Sequence, residues 1–560
     1  MKKQTSLLVF LFCFVSFNLF AQIEMTSPSH PVYDFLRKMQ LKGVIPQYNP
    51  ANIPISRGKI ASLLMKIIEN EKYLTHLDKE FLKDYKVEYY YDIFGTLEKS
   101  NPIFGNSTDN SFFRDSKQNA VYSFADSNAS FFADGTFRIS QRASSGDSIG
   151  SNSIALGEAG FKLRGTLFNT LGFYLRASNG QKINGKSQDV IFAYQTDPVL
   201  RANTKFVYEQ KNFDTFEGYL RYQTPKDWLS LTVGREAVYQ GFGYIDRIFL
   251  SKNTVPFDMI KLDLSYKSLS YSYFYGMLKG DSLGTQINWK NIATHRLDLK
   301  FSNKVKAGFF ESIITTNNPF SLNLINPVSF LISADLNSGV TNTYANNSLL
   351  GFDIEINPMK NLGFQSTILI DDLNISTLFN IDQTSNDNKF GYQVGVKWYE
   401  AFNVPNIDLS VEYTRLDPFV YSHRDNKNGY TNYNLSLGHE LSPNSDEIAA
   451  NANINISSRI NLQFLVQYQR SGEGFIYDNQ GNIIGNYGGD INRGDFDKLL
   501  SNKFLQGNRV NKTIITFFAS FQPVRQLFLD LKYLLKYSNA EFIQKTFNDS
   551  YYWATLRIDY

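Results

Sequence analysis

The chain has 560 residues, with 56 Lys+Arg against 53 Asp+Glu, and a net charge of +3 gives no electrostatic ground for a nucleic-acid partner. Aromatic residues make up 15%, with 34 Tyr and 47 Phe, yet the mean hydropathy is only -0.29. That polarity excludes a bundle of apolar membrane helices but suits a membrane β-barrel, in which only every second strand residue meets lipid and aromatic girdles absorb Tyr and Phe.

In chain order, Met1-Lys2-Lys3, the apolar run Leu7 to Phe20 and the small Ala21 read as a secretory signal peptide over 1–21. The run is short of the ~18–20 apolar residues of a spanning helix. The one cysteine, Cys13, lies inside it, so the mature chain is expected to hold no disulfide, thiolate metal site or cysteine nucleophile. Residues 22–115 are expected to form a periplasmic helical region and linker. Val32, Phe35, Leu36 and Met39 recur at helical spacing. Ser56 is a candidate N-cap for a second helix with Ile60, Leu63, Leu64, Ile67 and Ile68 on one face, and Leu77, Phe81 and Tyr85 mark a third over 77–90. Such a bundle is either a structural foot beneath the barrel or a docking site for a partner.

Residues 116–560 are expected to form the barrel, and from about residue 130 to Tyr560 the period changes from 3.6 to 2. Ile260, Leu262, Leu264 and Tyr266 alternate with Met259, Lys261, Asp263 and Ser265, and Phe390, Tyr392, Val394, Val396 and Trp398 with Gly391, Gln393, Gly395 and Lys397. In 527–537 Leu529, Leu531 and Tyr533 are assigned to lipid and Asp530, Lys532 and Lys536 to the lumen. Short turns are expected at Asn169-Thr170, Thr224–Asp227, Lys267-Ser268, Asn303-Lys304, Asn357–Asn361, Phe402–Asn406, Ser457-Ser458 and Gln522–Val524. These eight hairpins, with a first strand near 131–140 and a last at 551–560, predict an all-β transmembrane barrel of 18 antiparallel strands, both ends in the periplasm. In the last strand Tyr552, Ala554, Leu556, Ile558 and Tyr560 form the outer face, similar to the segment that barrel-assembly machinery reads.

Five histidines, His30, His76, His295, His423 and His439, show no metal-ligand spacing, and there is no phosphate loop or GxSxG motif. No metal, cofactor or enzymatic activity is therefore expected. His439 with a loop Ser or Asp is the one conceivable hydrolytic pair. Aromatic and polar residues gather where strands enter the longer loops, which suits sugar binding: rings stack on C–H faces and planar polar groups bridge hydroxyls. Arg235, Tyr239, Asn253, Glu311, Asp371 and His439 are the candidate ligand residues on this basis. Arg235 and Glu311 could equally form a lumen ion pair that braces the loops.

Several pieces together resemble the capsule-assembly Wzi family of outer-membrane proteins in its Bacteroidetes form. They are Val32–Leu36 with Gly43 and Ile55-Ser56-Arg57; Gly234-Arg235 with Tyr239–Gly243; Leu250-Ser251-Lys252-Asn253 with Pro256-Phe257; Glu311; Asn326-Pro327; and Gly438-His439 with Asn444-Ser445-Asp446-Glu447. The resemblance implies a barrel of 18 strands, a periplasmic helical bundle, loops that occlude the pore, and a lectin-like role holding capsular or extracellular polysaccharide on the cell. It leaves open a porin or substrate channel, and a role in gliding motility. The partners it implies are polysaccharide, outer-membrane lipid and the assembly machinery, for a monomer.

Overall fold

The computed structural model describes residues 22–104, 112–283, 286–316, 322–336, 346–378, 388–495 and 503–560. The expected signal peptide lies outside them. Eighteen strands close an antiparallel barrel. They are β1 (Ala129–Gly146), β2 (Asn152–Leu167), β3 (Leu171–Asn184), β4 (Asn212–Gln223), β5 (Leu229–Glu236) and β6 (Phe257–Tyr266). Next come β7 (Leu269–Leu283), β8 (Gln286–Lys300), β9 (Val305–Thr315), β10 (Asn347–Met359), β11 (Leu362–Asp372) and β12 (Lys389–Trp398). The set ends with β13 (Ile407–Leu416), β14 (Ser445–Ser457), β15 (Ile460–Glu473), β16 (Asn508–Val524), β17 (Leu527–Ala540) and β18 (Lys545–Asp559).

Each strand pairs with its sequence neighbour, and β18 returns to β1 from Asp549↔Gly146 to Asp559↔Thr136. The expected number of strands and the expected short turns are present. Phe168 and Asn169 both sit at φ 54°, the backbone that a two-residue hairpin turn requires to match strand twist. At the last hairpin the turn falls at Arg525-Gln526, one residue beyond the expected Gln522–Val524, because Val524 still pairs with Leu527.

The alternation separates lipid from lumen as expected. Leu529, Leu531, Ile260 and Val394 are exposed on the outer surface, whereas Lys261, Gln393 and Lys397 are buried inside. Tyr560 departs from its expected place in the outer face. It is only 5% exposed because Phe112 and Phe113 pack on its ring at 4.8 and 5.2 Å. The first residues of β1 pair with a strand over Gln118–Ala125, which fills the seam below the end of β18.

Four helices, α1 (Val32–Leu41), α2 (Arg57–Glu69), α3 (His76–Glu88) and α4 (Tyr90–Phe94), precede the barrel. The Ser56 hydroxyl caps α2 by accepting from the Lys59 amide at 3.3 Å, and Thr75 with Asp78 forms a capping box for α3. Leu36, Met39, Ile60, Leu64 and Ile67 are completely buried between them, each stabilising the bundle by about 1.5–3 kcal/mol. The bundle sits in the end of the barrel that carries the short turns, the periplasmic end in this class. Arg459 and Arg525, both in short turns, reach Asp84 of α3 at 3.1 and 2.7 Å. Arg37 of α1 projects into the lumen and donates to Glu355 on β10 at 2.7 Å and to the Phe242 and Gly243 carbonyls.

Candidate functional site

A barrel this wide cannot be filled by its wall side chains alone, and two loops supply the filling. Residues 237–256, between β5 and β6, leave the external end and turn inward. Residues 417–444, between β13 and β14, fold onto them. Phe249 stacks on Phe310 with centroids 4.1 Å apart, Tyr421 stacks on Tyr430 at 5.5 Å, and all four are buried in one apolar cluster with Val238, Leu416 and Leu437. The polar backbone of this plug is satisfied by wall residues, as a buried loop requires. Glu412 of β13 accepts the amides of Tyr244, Ile245 and Asp246 at 2.8, 3.3 and 3.0 Å, and the Ser251 amide donates to the Leu437 carbonyl at 2.8 Å. The loops pass so closely that a Cβ on Gly438 would lie 2.6 Å from the Ile248 carbonyl oxygen.

Beside the plug, on the wall of β1 to β5, lies a cavity of about 240 Å³. Its roof is the external β3–β4 connection, folded as α5 (Ser187–Gln195), α6 (Pro198–Ala202) and α7 (Thr204–Glu209). The lining sets guanidinium against carboxylate: Arg138, Arg142, Arg176 and Arg235 against Glu158, Asp197, Asp214 and Glu217. Arg142 pairs with Asp197 of the roof at 2.8 Å, Arg176 with Glu217 at 3.7 Å and Arg138 with Glu158 at 3.7 Å. Arg235 pairs with Asp258 at 2.6 Å. Tyr433, from the plug, closes one side, and its hydroxyl is raised above the ordinary phenol value by burial. Planar donors and acceptors beside aromatic rings are a chemistry for gripping hydroxyl-rich molecules.

The six residues expected at the site do not converge. Arg235 alone lines the cavity. Tyr239 lies deep in the lumen rather than at the external mouth: its strand pairs with Asn52–Ile53, and its ring packs on the helical bundle. The cause is the inward turn of residues 237–256. Asn253 sits within the plug, its amide donating to the Ser251 hydroxyl at 3.1 Å. Glu311 is fully buried and accepts the amides of Leu331 and Ile332 at 3.0 and 2.6 Å, so it anchors the N-terminus of α9 (Leu331–Leu336), in the β9–β10 connection after α8 (Leu322–Ile325). Its partners are this backbone and, at 3.9 Å, the His295 imidazole, not Arg235. Asp371 accepts the Tyr421 amide and holds the plug to β11. His439 is 1% exposed, with its Nδ1 accepting from the Leu441 amide at 3.1 Å and its Nε2 3.8 Å from Glu447. Burial would lower this imidazole, but Asp246, Glu447, Glu440 and Glu412 outweigh it and hold His439 above its ordinary value. Among the described residues no group of three or more His, Cys, Asp or Glu side chains could hold a metal ion.

The cavity residues missed in the sequence carried a signal in their register. Arg138 lies directly across from Glu158, and Arg176 across from Glu217. Opposite charges at paired, inward-facing positions of adjacent hairpins mark a lumen site, but only once the turns have set that register.

A closed barrel with a helical bundle at one end and inward-folded loops has the architecture of an outer-membrane β-barrel. This chain belongs to the Wzi capsule-assembly family, whose model, described as capsule assembly protein Wzi, matches residues 151–508. The structure is similar to that of Wzi from Escherichia coli, an outer-membrane protein involved in group 1 capsule assembly and described as a carbohydrate-binding β-barrel. The TM-score is 0.57 at 11% identity, covering 96% of this chain and 99% of that one. OprD of Pseudomonas aeruginosa matches at TM-score 0.42 and 10% identity over 76% of this chain and 94% of its own. OccAB1 of Acinetobacter baumannii matches at 0.44 and 9% over 76% and 96%. Neither of these two bears on function. No curated protein sequence matches significantly.

Proposed function

We propose that this barrel is a non-enzymatic binding protein that holds capsular or extracellular polysaccharide at the cell surface. The observation that carries this reading is the plugged lumen with a guanidinium- and carboxylate-lined cavity under its external roof. A diffusion channel needs a continuous aqueous path, and the apolar cluster around Phe249 and Tyr430 fills the β6 to β13 side of the lumen where such a path would run. In this reading residues 22–115 serve as the periplasmic stopper and linker and 116–560 as the barrel. On the same reading the protein acts as a monomer in outer-membrane lipid and reaches the membrane through barrel-assembly machinery.

Arg235 is the residue to test, since it joins the cavity to the end of β5. Arg235→Ala is expected to leave a folded, heat-modifiable barrel from which cells shed polysaccharide into the medium, and to weaken binding on a glycan array. Retention and array binding equal to the native protein would remove the cavity from the site. A large, steady single-channel conductance of the native barrel would overturn the occluded reading itself.

A further inference from the structure

The wall opposite the plug carries a second, larger space. Strands β14 to β18 flank a chamber of about 780 Å³, inside the ~300–1,000 Å³ range of ligand pockets. It extends from Gln195 and Glu440 in the external connections down to Phe518 at mid-wall. Its lining contains four lysines, Lys252, Lys512, Lys532 and Lys536, and one carboxylate, Glu440.

Two of these lysines have no ion-pair partner among the described residues. Lys512 is paired with Glu473 at 3.1 Å, but among the described residues no carboxylate lies within salt-bridge distance of Lys532 or Lys536. Asp549, which faces Lys536 in register, is instead taken by the Ser148 hydroxyl and by the Ser148 and Ile149 amides at 2.9 and 3.2 Å. Lys532 rests its ammonium 4.7 Å from the centre of the Trp553 ring. Tyr551 stacks parallel to Trp553 at 5.8 Å and is itself covered by Phe192, so the half-buried Trp553 is the ring presented to the chamber. Across the chamber, Gln463 donates its amide to Asn451 at 2.9 Å, and Gln467 and Gln469 donate theirs to Glu447 at 2.9 and 2.7 Å. Each amide oxygen is thereby left to accept from a ligand hydroxyl.

An aromatic platform, a row of oriented acceptors and two ammonium groups without a carboxylate partner, one of them resting on the platform and free to swing to a ligand, have one common ligand chemistry. We propose that this chamber binds sugar units bearing a carboxylate, uronic acids within a polysaccharide, with Trp553 stacking on the C–H face and Lys532 and Lys536 meeting the acid. The inference rests on the polysaccharide reading above and adds selectivity for charge. A neutral sugar gains nothing from the lysines, whereas a carboxylate replaces water at two cations inside a walled space, where charge-assisted bonds are stronger than at an open surface.

The test uses full-length purified barrel and two probes, homogalacturonan oligosaccharide and its methyl-esterified form, followed by calorimetry. The acid is expected to bind about tenfold tighter than the ester, a margin that shrinks with salt. Replacing both Lys532→Gln and Lys536→Gln is expected to erase that margin, Lys532→Arg to keep it, and Trp553→Ala to weaken both probes alike, each variant first verified as folded by heat-modifiable migration. Equal binding of acid and ester by the native protein, an unchanged margin in the double variant, or displacement of the acid by inorganic phosphate at similar concentration would overturn the proposal. Those results leave polysaccharide retention through Arg235 standing. Failure of the native barrel to bind any glycan or to retain polysaccharide on cells would overturn both.

Discussion

The two sides of the lumen are built from the same alternating strands and end in opposite states. On β6 to β13 the inward residues meet the plug: Arg296 is fully buried, clamped by Asp353 at 2.8 and 2.9 Å and by Asp298 at 2.7 Å. On β14 to β18 the inward residues, such as Lys532 and Lys536, face open chamber. The difference comes from the loops. Residues 237–256 and 417–444 carry Phe249, Val420, Tyr421 and Tyr430 inward, whereas of the β3–β4 connection only Gln195 and Thr196 reach the chamber on the other side. Alternation separates lumen from lipid, and the loop that packs against a lumen face decides whether that face is dry.

The sharpest way to break this comparison is to remove one inward cation from each side. Arg296→Ala leaves Asp298 and Asp353 buried without their partner, and loss of one member of a buried pair costs about 3–5 kcal/mol. The expected outcome is a large fall in the urea midpoint of the detergent-folded barrel, with noisy conductance as the plug loosens. Lys536→Gln on the chamber side is expected to shift the same midpoint by less than about 0.5 kcal/mol, as at solvated positions. Similar losses in the two variants would mean that the chamber is as dry as the plug.

A smaller effect separates inside from outside on a single strand. Leu531 is 56% exposed on the outer surface, and Leu531→Arg should cost about 2–4 kcal/mol if it lies near the bilayer midplane. Its neighbour Lys532 points the other way, so Lys532→Gln should leave folding intact. A harmless Leu531→Arg beside a Lys532→Gln that abolishes heat-modifiable migration would invert the assignment.

Much of the wall was legible in the sequence because its causes are local. Side-chain alternation, turn residues such as Asn169 and Asn361, and the Ser56 cap act within a few residues. The candidate site was less legible, for a physical reason. Tyr239, Asn253 and His439 were placed by their distance along the chain from a strand end, and that rule assumes an outward loop. Here the loop turns inward under long-range bonds, such as Glu412 to the 244–246 amides and Arg37 to the Gly243 carbonyl. No local pattern encodes these contacts. Arg138 and Glu158 were harder to pair from the sequence, since their strands are joined by the external connection 147–151 and not by one of the expected short turns.

The least perturbing test concerns pH and lies within the plug. His439 is buried among Asp246, Glu447, Glu440 and Glu412, whose charges hold its imidazole above the ordinary 6.5. A histidine raised in the folded state contributes stability that is fully present below its unfolded value and lost as pH rises through its folded value. Protonation removes Nδ1 as acceptor for the Leu441 amide, but the four carboxylates outweigh that loss. The plug is therefore expected to be tightest under mildly acidic conditions and to loosen above pH 6.5, opposite in sign to a loop held by depressed carboxylates. Hydrogen exchange of residues 437–447 should show protection falling across that window, while α2, whose Arg57 pairs with Asp92 at 2.7 Å, stays unchanged. His439→Gln keeps a hydrogen-bonding side chain without the charge, so it should flatten the pH dependence and resemble the native protein at high pH. Protection that instead rises with pH, or a pH dependence retained in His439→Gln, would show that the imidazole charge does not hold the two loops together.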